Sequence, residues 1–287
     1  GAAASRGGAG ARRRARAPAS VSPGARGGGL AAGFWAAARD LLYPPVCAAC
    51  GEETGAPAAL CPTCFRETVF LAPPLCPVCG APAPADGGAG PCDACLHAPP
   101  AYDRARAAAL YAGPARRAAL QLKHGDRLDI AAAVAPWLAR AGEAMLAEAD
   151  VIAPVPLHWT RLALRRFNQA AELGRAAARA AGREAAFMPD LLIRRRVTPS
   201  QEGRSRAARF ENVAGAFAVR PRHAARLDGA RTLLVDDVMT TGATLSACAE
   251  ALKAAGAARV EALALARVAR SDHGLYVAEE AVLGGPS

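Results

Sequence analysis

One segment decides the fold of this 287-residue chain: Thr232-Leu233-Leu234-Val235-Asp236-Asp237-Val238-Met239-Thr240-Thr241-Gly242-Ala243-Thr244. Its first four residues are apolar or β-branched, which predicts a buried β-strand. We expect the two adjacent carboxylates to end that strand, and the small and hydroxyl-bearing residues after them to lead into a helix. In open α/β sheets, ligands bind beyond the carboxyl ends of the strands, so this junction is a candidate binding site.

The chemistry of this junction suits the phosphate and the hydroxyl groups of a ribose phosphate. Backbone N–H groups of the loop and the N-terminus of the following helix would bind the phosphate. The side chains of Asp236 and Asp237 can accept hydrogen bonds from sugar hydroxyls. The competing interpretation is an ordinary strand–turn–helix corner with exposed Asp and Thr, which rarely combines all of these features.

From Ala101 onward, predicted strands and helices alternate, which favours an α/β fold with a mostly parallel sheet and helices on both faces. The predicted strands cover Ala105–Tyr111, Val151–Val155, Leu191–Arg194, Ala216–Val219, Thr232–Val235 and Val260–Ala266. The predicted helices cover Ala115–Lys123, Ile130–Ala141, Asn168–Ala181 and Leu245–Ala255. A separate short helix is predicted over Leu30–Tyr43, where two prolines end it.

Eight of the nine cysteines form four Cys-x-x-Cys pairs at short intervals. Gly51 and Gly80 each follow one pair, so the pattern repeats, and glycine takes positive φ without steric cost. A tight turn there would direct two thiolates at one point, which predicts two tandem four-cysteine zinc sites. The ligands would be Cys47, Cys50, Cys61 and Cys64 at one site and Cys76, Cys79, Cys92 and Cys95 at the other, with a crossed pairing left open.

The alternative for these cysteines is a disulfide framework, which would require an oxidising compartment. The N-terminal residues contain no contiguous apolar segment typical of a secretory signal, so we expect a cytoplasmic protein with reduced thiols. A redox Cys-x-x-Cys pair normally stands alone rather than four times in one stretch. Because the cysteine-rich segment has few large apolar side chains, its folding should depend on zinc.

The composition gives limited information about partners. The chain is 52% hydrophobic, but much of this is alanine, and no run approaches the roughly 18 apolar residues of a membrane span. The net charge is +10, and six arginines without any acid lie in residues 1–29. Such a tail is predicted to be disordered and could contact nucleic acid or an anionic membrane. Only two bases are lysine, so a genome-wide bias explains part of this charge.

The segment with the paired carboxylates resembles the phosphoribosyl pyrophosphate binding signature of type I phosphoribosyltransferases. Two further segments, Val151–Leu157 and Arg165–Ala170, are similar to the Pro-Val-Pro-Leu and Arg-Gly-Phe-Asn-Gln-Ala segments of the ComF family. The mobile-loop region of that family is matched by Thr198–Gln201, Arg209, Asn212 and Gly215–Phe217. The resemblance covers roughly residues 40–268 and implies a type I phosphoribosyltransferase-like fold preceded by a small double zinc-ribbon module.

Two residues depart from the family pattern. Arg166 stands where glycine is usual, and Arg204 stands where an apolar residue is common. Because arginine lacks glycine's freedom to adopt positive φ, the first departure puts the local turn in question more than the fold. Lys123 matches a lysine-containing family segment, and it would either approach the ligand or lie at a solvated helix end.

The resemblance implies roles for individual residues. Asp236 and Asp237 would hold the ribose hydroxyls and favour positive charge at the anomeric carbon. Magnesium would be held mainly by the phosphates of the ligand and by water. The 5′-phosphate would be bound by Thr240, Thr241, Gly242, Ala243 and Thr244, and the pyrophosphate would face Pro156, Leu157 and His158. The leaving pyrophosphate would be neutralised by Arg204, Arg206 and Arg209.

Two classes of function follow from the resemblance, since ComF-like proteins are associated with DNA uptake in natural competence. The first is a phosphoribosyltransferase, a glycosyltransferase of the pentosyl class, with an unidentified acceptor. The second is a protein that binds phosphoribosyl pyrophosphate as a ligand or signal, while its zinc ribbons hold single-stranded DNA or a competence-system ATPase. The expected domains are a tail over 1–29, a short helix and double zinc ribbon over 30–100, the phosphoribosyltransferase-like domain over 101–270 and a second tail over 271–287.

Overall fold

The computed structural model describes residues 44–56, 59–83, 90–124, 127–158, 160, 162, 167–196 and 205–268. Several predictions lie outside these residues: the helix over Leu30–Tyr43, both tails, the segment Thr198–Gln201 and the position of Arg204. The side chain of Arg206 also lies outside the described part. No helix among the described residues is both long enough and apolar enough to cross a membrane.

The central sheet has four parallel strands, β1 (Arg104–Leu110), β2 (Val151–Pro154), β5 (Arg231–Met239) and β6 (Arg259–Arg267). Their order in the sheet is β1–β6–β5–β2. A two-stranded antiparallel sheet is formed by β3 (Leu192–Arg194) and β4 (Phe217–Val219). The predicted parallel α/β sheet is therefore confirmed, and Pro154 lies at an edge of the described sheet, where a missing N–H is tolerated.

Helices cover both faces of the sheet. The first two helices are short and follow cysteines: α1 (Pro62–Glu67) and α2 (Asp93–His97). One face is covered by α3 (Gly113–His124), α4 (Asp129–Ala141), α5 (Glu143–Glu148) and α6 (Gln169–Ala180). The other face is covered by α8 (Ala243–Ala254), on which α7 (Arg206–Val213) packs. Adjacent residues of the strands separate onto the two faces, as Leu233 and Leu234 do, because side chains alternate along a strand.

The strand that carries the paired carboxylates is longer than predicted. It continues to Met239, so Asp236 and Asp237 lie within β5 and do not end it. The reason is pairing with β6, in which Asp236 is opposite Ala264 and Met239 is opposite Arg267. On the other side, the last ladder pair between β2 and β5 joins Pro154 to Val235. The carboxylates therefore lie in a notch, with a strand on one side and the open end of β2 on the other.

The cysteine-rich module packs closely on the α/β domain. Its linking segment adds to the free edge of β1, where Leu71 N–H donates to the Ala108 carbonyl oxygen over 3.0 Å. The side-chain amide of Gln121 on α3 donates to the Ala49 carbonyl oxygen over 3.1 Å. Buried Cys76 and Cys79 belong to the same apolar cluster as the strands and α8. The second four-cysteine site is thus part of the main core.

Candidate functional site

The carboxylates of Asp236 and Asp237 are held by local backbone contacts. Asp236 Oδ1 accepts a hydrogen bond from Asp237 N–H over 2.9 Å, and Asp237 Oδ1 accepts from Val238 N–H over 2.7 Å. Burial raises the pKa of Asp236 well above its usual range, and the charge of Asp237 raises it further. The charge of Lys123 acts in the opposite direction and lowers the pKa of Asp236. Burial therefore disfavours a charge on Asp236, and a hydroxyl-rich or cation-bearing ligand would stabilise that charge.

The loop after β5 turns into α8 at a glycine that the structure requires. Gly242 has a φ of +80° and precedes the first residue of the helix. A Cβ at this position would lie 2.8 Å from the Tyr102 hydroxyl oxygen and 3.2 Å from Met239 Cε. Ala243 N–H donates to Thr241 Oγ1 over 3.4 Å, and Ser246 N–H donates to the Gly242 carbonyl oxygen over 2.8 Å. The twelve-residue helix thus begins within a few residues of Asp236 and Asp237 in the chain, with its positive dipole end at the loop.

The turn after β2 lies at the same edge of the sheet, because β2 and β5 are parallel neighbours. Val155 N–H donates to the Val235 carbonyl oxygen over 2.9 Å, and the next three residues, Pro156 to His158, leave the sheet. His158 is buried, and its Nδ1 lies 2.9 Å from Thr160 Oγ1. Two of the predicted ligand-binding segments, 156–158 and 240–244, are therefore brought together by strand pairing.

Asn168 fixes the geometry of this turn. Its Nδ2 donates to the Val155 carbonyl oxygen over 3.0 Å, and its Oδ1 accepts from Ala170 N–H at the start of α6 over 3.1 Å. One side chain thus ties the end of β2 to the helix that follows the turn. The pattern Phe-Asn-Gln-Ala, which carried part of the family resemblance, supplies this helix cap.

A cavity of about 380 Å³ adjoins the turn after β2. Its lining includes Pro156, Leu157 and Asn168, and the charged residues Asp190, Arg194 and Arg220. Both arginines were missed by the sequence analysis, because their position depends on the pairing of β3 with β4. The only local feature that pointed to this position was the predicted strand Leu191–Arg194.

The predicted loop arginines are only partly described. Arg209 lies on α7, which packs against α8, the helix that begins after Gly242. The side chain of Ser205 caps α7 by accepting from Ala208 N–H over 3.3 Å. Arg204 and the side chain of Arg206 lie outside the described residues, so their roles stay predictions.

The eight paired cysteines form two four-sulfur clusters, each from consecutive pairs. Within each cluster, all Sγ atoms lie within 4.8 Å of one another. Cys50 Sγ lies 3.7 Å from Cys61 Sγ, and Cys79 Sγ lies 3.7 Å from Cys92 Sγ. Tetrahedral zinc with bonds of about 2.3 Å requires sulfur–sulfur distances of about 3.8 Å, so both clusters fit zinc. The pairing is local, and the crossed alternative is not adopted.

Backbone N–H groups stabilise one thiolate in each cluster. Burial opposes ionisation of Cys47, but the N–H groups of Cys61, Cys50 and Ala49 lower the pKa of this thiol to about 6. The pKa of Cys76 is lowered to about 6 by the equivalent donors, again against the effect of burial. Burial and neighbouring sulfurs raise the pKa of Cys64 and Cys95. Four thiolates therefore require a cation at their centre, and zinc binding would expel the remaining protons.

Each cluster also receives one arginine from the α/β domain. Arg117 Nη2 lies 3.6 Å from Cys64 Sγ, and Arg267 Nη2 lies 3.5 Å from Cys79 Sγ. A zinc ion with four thiolates carries two net negative charges, which these guanidinium groups partly balance. The ninth cysteine, Cys248, is fully buried in α8 and belongs to the core.

Comparisons with known proteins give matches for both the cysteine-rich module and the α/β domain. Residues 38–96 match the double zinc ribbon domain family, and residues 170–275 match the phosphoribosyl transferase domain family. The DNA utilization protein YhgH of Salmonella typhi is 34% identical over 217 residues, which cover 73% of this chain and 89% of that protein. The YhgH protein of Escherichia coli K12 is 34% identical over 245 residues, which cover 83% of this chain and 93% of that protein.

Proposed function

This chain belongs to the ComF family, and we propose that its α/β domain binds phosphoribosyl pyrophosphate with magnesium at the carboxyl edge of β5. One observation carries the proposal. The notch that holds Asp236 and Asp237 continues directly into the Gly242 turn and the N-terminus of α8. To bind a ribose phosphate, a site needs acceptors for the sugar hydroxyls next to N–H donors for the phosphate, and this junction provides both.

The assigned roles follow the chemistry of the groups present. Asp236 and Asp237 would accept hydrogen bonds from the ribose hydroxyls, and the backbone from Thr240 to Thr244 would donate to the 5′-phosphate. The turn from Pro156 to His158 would face the pyrophosphate. Magnesium, when bound, would neutralise phosphate charge, and oxygen donors of the ligand and the carboxylates suit this ion. The raised pKa of Asp236 supports this assignment, since a carboxylate pair without a cation is an unfavourable arrangement.

The reaction proposed for this site is transfer of the phosphoribosyl group to a nucleophile. The bond between the anomeric carbon and the pyrophosphate oxygen would break, and a bond from the nucleophile to that carbon would form, with release of the nucleophile's proton. The carboxylates would stabilise positive charge at the anomeric carbon. Arg209, together with Arg204 and Arg206, would neutralise the leaving pyrophosphate. The cavity lined by Leu157, Arg194 and Arg220 is next to the turn and could admit the acceptor.

A second candidate is a ligand-sensing protein without catalysis. The observation that favours it is a buried contact between the site and the zinc module, in which Arg267 touches both Met239 at the end of β5 and Cys79. A ligand at β5 could in this way influence the second ribbon. The ribbons would then hold single-stranded DNA or a competence-system ATPase.

Whichever candidate is right, we propose a role in DNA uptake. The support is membership of the family whose relatives are named DNA utilization proteins, together with the positive net charge. Phosphate neutralisation by a cationic protein would make such binding salt-dependent.

The first experiment measures ligand binding through thermal unfolding. Phosphoribosyl pyrophosphate with magnesium should raise the melting temperature of the wild type by mass action. The double variant Asp236→Asn, Asp237→Asn should lose this shift, whereas Asp228→Asn, an exposed acid outside the site, should keep it. An unchanged shift in the double variant would show that the assigned site is wrong.

A second experiment separates the two candidate functions. Pyrophosphate release is measured with a panel of nucleophilic acceptors, with and without single-stranded DNA. Release that depends on an acceptor and on Asp236 supports the transferase. Tight ligand binding with no release under any condition supports the sensor.

A further inference from the structure

A cluster of apolar side chains is exposed on the segment that links the two four-cysteine sites. Six large apolar side chains are exposed among the described residues, and three of them lie here: Phe65 at 55%, Val69 at 48% and Phe70 at 37%. Exposed apolar groups that lie together, rather than singly, mark interaction sites. The phosphoribosyl pyrophosphate site proposed above does not use them.

Phe65 and Phe70 border a cleft of about 700 Å³ between the linking segment and α4. The Phe70 ring centroid lies 5.3 Å from that of Phe65 and 5.1 Å from that of Trp137, with the last pair perpendicular. We call this the aromatic cleft and define it by Phe65, Phe70, Trp137, Arg106 and Arg140. Its volume lies within the usual range of small-molecule sites, and a nucleotide unit is of that size class.

The rings of the aromatic cleft are fixed by backbone pairing. Val69 and Leu71 on either side of Phe70 bond to β1, where Leu110 N–H donates to Val69 O over 2.9 Å and Leu71 N–H donates to Ala108 O over 3.0 Å. Trp137 is held on α4, whose other side is buried in the core. Because these elements are already ordered, binding a planar group would cost little additional conformational entropy.

The charges around the aromatic cleft are positive. Arg140 is exposed on the last turn of α4, and Arg106 is held in place by the carbonyl oxygens of Cys76 and Pro77, at 3.3 and 3.2 Å from Nη1. No acidic residue is among the described residues that line the cleft. A flat aromatic group with a nearby anion matches both the rings and the arginines of this lining.

We propose that the aromatic cleft binds single-stranded DNA, with a base against Phe65 and Phe70 and the adjacent phosphates near Arg140 and Arg106. Stacking on aromatic side chains combined with a cationic groove is the general way in which single strands are bound without sequence preference. Duplex DNA is disfavoured, since its base faces are covered by their neighbours. The inference rests on the proposed role in DNA uptake, but it does not depend on the phosphoribosyl pyrophosphate site.

The test is binding of a fluorescent twenty-nucleotide oligo(dT) to the full-length, zinc-loaded protein, measured by anisotropy at several salt concentrations. Phe70→Leu keeps an apolar side chain for packing but removes the aromatic face, and we expect about tenfold weaker binding. Phe70→Trp should bind at least as well as the wild type. Leu96→Ala, which removes an exposed apolar group of the same module outside the cleft, should have no effect.

Charge is tested by a matched pair of variants. Arg140→Gln should weaken oligo(dT) binding and reduce the slope of log affinity against log salt concentration by about the value of one phosphate contact. The control is Arg226→Gln, which changes an exposed arginine outside the cleft and should alter neither the affinity nor the slope. Melting temperature and zinc content serve to confirm that each variant is folded.

The outcomes distinguish the proposals. Loss of oligo(dT) affinity in both Phe70→Leu and Arg140→Gln, with duplex of equal length bound more weakly, supports the aromatic cleft. Wild-type affinity of Phe70→Leu for oligo(dT) would overturn the proposed DNA binding by the aromatic cleft. The same holds if the two substitutions weaken duplex binding as much as they weaken oligo(dT) binding. A protein partner would then be the better occupant of the cleft. Failure of the wild type to bind phosphoribosyl pyrophosphate would refute the function proposed for Asp236 and Asp237 and leave this inference unaffected.

Discussion

Arg267 donates a hydrogen bond from Nη1 to the carbonyl oxygen of Cys79 over 2.7 Å, although the two residues are 188 positions apart in the chain. The guanidinium group is buried and also lies 3.4 Å from the sulfur of Met239. Arg267 ends β6 and pairs with Met239, the last residue of the strand that carries the paired carboxylates. One buried cation therefore joins the second zinc cluster to the carboxyl edge of the sheet.

This contact predicts unequal behaviour of the two zinc sites. Arg267→Met should lower the free energy of unfolding by roughly 2–3 kcal/mol, because the Cys79 carbonyl loses a charged donor in a buried position. Arg267→Met should also speed the release of zinc from the second site, which contains Cys79, to a chromogenic chelator. Arg117→Met is the control at the first site, where the arginine is 43% exposed and the effect should be smaller. Equal release from both variants would contradict the asymmetry.

Zinc content gives a direct check on the cysteine clusters. Purified protein should contain two zinc ions per chain, and Cys64→Ser should retain one, because each cluster provides four ligands from consecutive pairs. Cys248→Ala changes a buried cysteine outside the clusters and should retain two. Elemental analysis measures all three proteins, and a zinc content near zero in the wild type would refute the assignment.

Gly242 provides a test of the phosphate binding proposed for residues 240–244. Gly242→Ala should be destabilising by more than about 1 kcal/mol and should abolish phosphoribosyl pyrophosphate binding, because φ is +80° and the new Cβ would collide with the Tyr102 hydroxyl. Gly229→Ala is the matched control, since φ is +66° there but no atom lies within 4 Å of the added Cβ. It should show only the backbone strain, about 1 kcal/mol, with ligand binding intact. Denaturant unfolding and ligand-induced thermal shifts measure both effects.

Removing a carboxylate from the site should stabilise the free protein. The pKa of Asp236 is raised in the folded state by burial and by Asp237, so ionisation above the unfolded pKa of about 3.9 costs stability. Asp236→Asn should therefore melt roughly 2–4 °C higher near pH 7, for a gain of about 1 kcal/mol. The gain should shrink as the pH falls through the raised pKa of Asp236 and should vanish below the unfolded pKa of about 3.9. A lower melting temperature at pH 7 would contradict this prediction.

Asp103 should show the opposite dependence on pH. Burial opposes its ionisation, but Lys253 Nζ at 2.7 Å and the Val260 N–H at 2.8 Å lower its pKa. A depressed pKa contributes stability above the unfolded value of about 3.9 and loses it as the pH falls further. Asp103→Asn should thus cost about 1 kcal/mol near pH 7, a modest value because the pair is partly exposed. Unfolding experiments from pH 3 to 8 should show that the difference from wild type narrows at the acidic end.

The structure also changes what is expected of truncations. The sequence analysis predicts that residues 30–100 form a separate module whose folding depends on zinc. In the structure, Cys76 and Cys79 pack in the main core, and Leu71 pairs with β1. Deleting the module would expose this core and remove the contacts of Arg267 with Cys79. Point variants are for this reason better tests of DNA binding than deletion of residues 1–100.

Local patterns in the sequence were sufficient to predict much of the fold and the elements of the site. The segment from Thr232 to Thr244 encodes strand, loop and helix start within thirteen consecutive residues. The cysteine spacings specify two clusters because each ligand set is closed within a short stretch of chain. Alternating strand and helix patterns indicated a parallel sheet, since parallel neighbours need a crossover connection.

Other features were decided only by contacts between distant segments. Asp236 and Asp237 lie inside β5 because β6 continues to pair beyond the end of β2, a register that no local pattern contains. The aromatic cleft exists because pairing with β1 brings Phe70 to Trp137. Propensity and spacing act over a few residues, whereas strand register, buried charge pairing and side-chain packing depend on which segments meet in space. The sequence by itself therefore determined the main strands and helices and the cysteine ligand sets, and the tertiary structure decided which residues from different elements lie together.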